Sequence, residues 1–99
     1  CRWLFQVSRR AFFSRVPMLI NEMVDSNHKG DPTAVSKSAH TLKGTAGNLG
    51  AIRVMKLAES LEQYGRSGNL DQVSQLLTDI EAAYRLSKVE LENNMTIPM

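Results

Sequence analysis

With 99 residues, 42% of them hydrophobic and 22% charged, the chain has the composition of one ordinary globular domain around a single core. A formal net charge of +2 is too small to argue for nucleic acid, and no apolar run is long enough to span a bilayer. One cysteine excludes an internal disulfide, and with two histidines at unrelated spacings it makes no recognisable metal site.

Few runs of β-branched residues and no alternating segments set off by turns leave little room for sheet, whereas helical periodicity recurs along the chain. Residues 1–7 read as an N-terminal extension or a short cap helix; Trp3, Leu4 and Phe5 favour the helix, and Trp3 and Phe5 offer a surface for self-association. The first main helix is expected over 8–26, on the stripe Phe12, Phe13, Val16, Leu19, Ile20 and Met23. Pro17 removes one backbone donor, which predicts a kink or break near Phe13. Arg9, Arg10 and Arg15 make its solvated face basic. Residues 27–30 read as a turn holding a solvated His28. Asp31 and Pro32 then supply an N-cap and a first-turn proline for a second helix that ends near Asn48.

The third helix is expected over 51–64, with Val54, Leu57, Ala58 and Leu61 inward and Gly65 as its C-cap. Asn69, or else Asp71, caps the fourth, with Gln72 at the reciprocal position of a capping box begun at Asn69. Its stripe is Val73, Leu77, Ile80, Tyr84, Ser87 and Leu91, and 93–99 reads as a tail. Short connections between helices of this length favour antiparallel neighbours, so the chain is read as all-α, an antiparallel up-and-down four-helix bundle over 8–92.

The second helix carries the chemistry. Val35, Ala39, Leu42, Ala46 and Leu49 recur at spacings of four and three and form its apolar stripe. At about 100° per residue, His40 points roughly 200° from Leu42 and belongs to the other face. Its neighbours there are Thr33, Ser36 and Lys37 before it and Lys43, Gly44 and Gly47 after it, which describes an open, positively charged groove. A glycine within a helix costs about 1 kcal/mol relative to alanine, so two of them beside one imidazole imply close approach. Either a neighbouring helix packs tightly there beside a surface histidine, or a partner closes over His40. Ser36 and Ser38 lack an acid and base to make a nucleophile. The chain has no G-x-x-x-x-G-K-[ST] loop and no G-x-G-x-x-G after a strand, and the G-x-x-G of 44–47 lies within a helix.

The order His-Thr-Leu-Lys-Gly-Thr-Ala-Gly-Asn-Leu-Gly over 40–50 resembles the signature of histidine-containing phosphotransfer (HPt) domains of two-component phosphorelays, and the resemblance extends over about 8–91. It implies a four-helix bundle in which His40 takes a phosphoryl group from an aspartyl phosphate on a receiver domain and passes it to another receiver. Such a nucleophile must be neutral, and an unperturbed histidine, with a pKa of about 6.5, is mostly neutral near pH 7.

By the same resemblance Lys43 stabilises the phosphate; Lys37 joins it on helical spacing alone. Gly44 and Gly47, with Ser36, would form the docking face. The chain is expected to have no cofactor of its own and no autonomous kinase or ATPase activity, the partner receiver supplying Mg²⁺ and the aspartate. Its partners would be response-regulator receivers and a histidine kinase in the same or another chain, with no nucleic acid and no direct membrane contact. A cytoplasmic monomer is the default, either free-standing or the cytoplasmic part of a membrane-bound sensor kinase. Two alternatives remain: the phosphoacceptor domain of a chemotaxis-type kinase, served by an ATP-binding domain, and a non-phosphorylated helical adaptor. The dimeric histidine-kinase hairpin fits poorly, because Thr41 stands where that family has an acidic residue.

Overall fold

The structure, a computed structural model, describes the backbone of residues 2–48 and 51–96 and the side chains of 14–48 and 51–90. Four helices follow one another: α1 (Arg2–His28), α2 (Pro32–Asn48), α3 (Ile52–Ser67) and α4 (Val73–Thr96), with no strand among the described residues. Each packs on the next, α4 also returns to α1, and the α2–α3 interface is the most extensive. Connections this short reverse the chain at each step, which gives the up-and-down bundle.

The apolar stripes meet at the centre. Val16, Leu19, Ile20 and Met23 of α1 pack with Val35, Ala39, Leu42 and Ala46 of α2, Val54, Ala58 and Leu61 of α3, and Val73, Leu77, Ile80 and Tyr84 of α4. Leu57 is half-buried against this core, and Ser87 is buried as the spacing requires. The side chains of Phe12, Phe13 and Leu91, and all of Leu49, lie outside the described residues.

Several boundaries differ from those expected. α1 is continuous from Arg2, so residues 2–7 extend the first helix instead of forming a separate cap helix. Pro17 does not break it: the proline forfeits one hydrogen bond, while buried Val16, Leu19 and Ile20 hold both sides of it to the core. His28 is the last residue of α1 and not part of a loop, a favourable place for a basic group beside the helix C-terminus. The chain reverses at Gly30, whose φ of 71° is left-handed, with Asp31 N–H donating to Ser26 O at 2.9 Å. Asp31 caps α2 as expected, its Oδ1 accepting from Ala34 N–H at 3.1 Å.

Gly65 is not a cap. α3 continues to Ser67 and ends at Gly68, at φ 78° in the left-handed region. Gly65 lies instead where α3 crosses the first turn of α2: a Cβ there would sit 2.7 Å from Pro32 O and Ser36 N. Nor does Asn69 cap α4. Its Oδ1 accepts from Asp71 N–H at 3.0 Å, a local turn, and the helix starts only at Val73, so no capping box joins Asn69 to Gln72. At the far end α4 continues to Thr96, through most of the expected tail.

Candidate functional site

The close crossing at Gly65 brings the two helices that carry the site together. On α2, burial of Ala39 and Leu42 turns His40 outward, where its side chain is 65% exposed. On α3, Glu62 follows Ala58 by one helical turn and shares its inward face, so its side chain is only 4% exposed. A buried carboxylate needs partners, and this one has three. His40 Nδ1 lies 2.8 Å from Oε2, Arg66 Nη2 lies 2.9 Å from the same oxygen, and Lys43 Nζ lies 2.8 Å from Oε1.

These contacts favour an ionised Glu62 and decide which ring nitrogen of His40 carries a proton. The hydrogen bond from Lys43 holds the Glu62 carboxyl below its ordinary value; burial opposes this, and His40 and Arg66 add to it. An ionised carboxylate can only accept, so the His40 bond requires a proton on Nδ1. The lone pair of the neutral imidazole is then on Nε2, on an exposed side chain. An imidazole held in this way, with an anion behind it to stabilise positive charge on the ring, has the geometry that a nucleophile needs.

Of the residues marked by the sequence, Ser36, Lys37 and His40 line one shallow recess with Thr41, Glu62 and Arg66. Lys37 is exposed there, whereas Ser36 is partly covered by the crossing at Gly65. Lys43, which the resemblance assigns to the phosphate, has its ammonium on Glu62 here, and its side chain is 32% exposed. The groove is therefore cationic around a buried anion, not uniformly positive. Gly44 is open, with nothing within 4 Å of where a Cβ would stand, while a Cβ on Gly47 would meet Met55 Sδ of α3 at 3.3 Å. The hydroxyls beside His40 are occupied locally, Thr41 donating to Lys37 O and Thr45 to Thr41 O.

Sequence reasoning missed Glu62 and Arg66. The available signal was a carboxylate one turn after Ala58 on an otherwise apolar face, with an arginine four residues further on. Among the described residues, no group of three or more potential ligands could hold a metal, and no helix is long and apolar enough to cross a membrane. A family model described as Hpt domain matches residues 8–94. No curated protein and no solved structure shows significant similarity to the chain.

Proposed function

The chain belongs to the Hpt domain family, whose members carry out histidine phosphotransfer in phosphorelays and interact with receiver domains and kinases; on that premise we propose that His40 takes a phosphoryl group from a receiver aspartyl phosphate and gives it to another receiver. The observation that carries this reading is the 2.8 Å contact between His40 Nδ1 and the buried Glu62 carboxylate. With Nδ1 protonated, Nε2 attacks phosphorus in line with the acyl oxygen. The N–P bond forms, the O–P bond breaks, and its electron pair leaves on the partner's carboxylate. The ring keeps its Nδ1 proton and becomes cationic, and Glu62 stabilises that charge where it develops.

Mg²⁺ belongs to the receiver in this scheme. Lys37 and Arg66 border the recess and are exposed enough to reach the phosphoryl group, and Lys43 contributes from beside Glu62. Gly44 presents bare backbone one turn from His40, which lets a receiver surface come close; Gly47 and Ser36 lie further along the same docking face.

The test is transfer of radiolabel from a panel of aspartyl-phosphorylated receivers to this chain and to His40→Gln, with helicity matched by circular dichroism. Acid-labile, base-stable label that is lost in the variant supports relay through His40. Label taken only from an ATP-bound kinase domain transfers the assignment to a chemotaxis-type phosphoacceptor, and none from either leaves a helical adaptor.

A further inference from the structure

α4 has two apolar stripes. One, from Val73 to Ser87, is buried in the bundle. The other, Ala82, Leu86 and Val89, repeats at four and three residues on the outer side, where Leu86 and Val89 are each 54% exposed. Across a groove stands the first turn of α3, with Ile52 50% exposed. Five large hydrophobic side chains are exposed among the described residues, and the clustering of three of them on α3 and α4 makes this a patch and not scatter. A seam repeating at four and three is how one helix packs along another. The groove shares no lining residue with the recess at His40.

Its rims have opposite charge. The α3 wall carries Arg53 and Lys56; the α4 wall carries Asp79 and Glu90. Arg53, Lys56 and Glu90 make no ion pair among the described residues, and Asp79 meets the Gln75 amide at 3.0 Å. A partner of uniform charge would be repelled by one wall. A partner with the same apolar seam and exchanged edges satisfies both, and a two-fold rotation of this chain generates that partner.

We propose that the chain forms a homodimer through the α3–α4 groove, in place of the monomer expected from the sequence. A two-fold axis running along the groove, parallel to the helices, lays the Ala82–Leu86–Val89 seam of each α4 on α3 of the other copy and so exchanges the edges. Lys56, which borders the groove beside Ala83 and Leu86, is carried toward Glu90 of the second copy. Both His40 recesses stay uncovered.

Sedimentation equilibrium of the full 99-residue chain over a wide concentration range tests this. The parent chain shows a monomer–dimer equilibrium, and Leu86→Glu abolishes the dimer at every concentration with helicity unchanged. Lys56→Glu weakens the dimer by roughly tenfold, because two-fold symmetry removes the pair twice. Adding Glu90→Lys to that variant restores the parent affinity. A parent chain that stays monomeric throughout overturns the proposal, as does a dimer that survives Leu86→Glu. A Lys56→Glu defect that the charge exchange fails to repair overturns the two-fold pairing.

Discussion

Replacing Gly65 by alanine should destabilise the bundle and impair phosphotransfer together, although the same change is favourable in most helices. The new Cβ would lie 2.7 Å from Pro32 O, 2.7 Å from Ser36 N and 2.8 Å from Ser36 Cβ, against ordinary contacts of 3.4–4 Å. Two of these atoms are α2 backbone, so no rotamer relieves the clash, and the helices must separate locally by about 0.7 Å to restore van der Waals contact. Overpacking of this kind costs about 1–3 kcal/mol, against a gain of about 1 kcal/mol in helix propensity. A net loss of up to about 2 kcal/mol follows, and each kcal/mol is worth about 4–8 °C in a domain of this size.

The effect reaches the site because Glu62 lies one turn before Gly65. The same displacement would stretch the 2.8 Å His40–Glu62 contact toward the limit of a side-chain hydrogen bond. Gly44→Ala is the matched control, since nothing lies within 4 Å of that Cβ. It should stabilise the fold by about 0.5–1 kcal/mol. Urea denaturation followed by far-UV circular dichroism measures both. A Gly65→Ala variant as stable as the parent would refute the reasoning, and so would equal shifts in the two variants.

Gly44→Leu should leave the denaturation midpoint near that of the parent while blocking transfer from receivers; a normal transfer rate would show that close approach at Gly44 is unnecessary. Leu42, fully buried, should behave oppositely: Leu42→Ala costs about 2–5 kcal/mol in urea titrations, and a loss well under 1 kcal/mol would contradict its place in the core. Lys43→Ala removes the largest influence lowering Glu62, so the carboxyl should titrate higher by NMR and transfer should slow; an unchanged rate would end its proposed role. Because the folded pKa of Glu62 lies below its ordinary 4.5, its ionisation contributes stability that is full above that value and lost as pH falls through the folded pKa. Glu62→Gln should therefore flatten the acid limb of stability against pH, and parallel limbs for parent and variant would show that Glu62 is not the group responsible.

What the sequence reveals and what it hides divide along one line. Contacts within a helix follow from spacing, so the stripes on α2 and α4, the Asp31 cap and the outward turn of His40 are all readable. Contacts between helices are not. A helical wheel collects Lys37, Lys43 and the glycines around His40, but says nothing of the carboxylate that α3 brings to Nδ1. Gly65 and Gly68 show the same limit. Either can end a helix by its own chemistry, and only the approach of the α2 backbone makes the first a crossing point and leaves the second as the cap.

The crossing also explains why a charge can be buried in so small a domain. Glu62 alone in an apolar interface would be costly, yet it stands between cations from both helices, Lys43 on α2 and Arg66 on α3. With the imidazole neutral, Lys37, Lys43 and Arg66 against Glu62 leave the neighbourhood of His40 at a formal +2. A phosphoryl group brings about −1.5 to −2 at neutral pH and the ring gains one positive charge, so the formal charge of the loaded site falls from +2 to about +1 to +1.5. Without the carboxylate the cations would bind phosphate more tightly and the imidazole would lose its orienting acceptor. On the proposed function both changes slow onward transfer, because a relay must release the group it has accepted. On that proposal Glu62 serves a balance that a stronger phosphate site would forfeit, and the glycine at position 65 is what lets α3 deliver it.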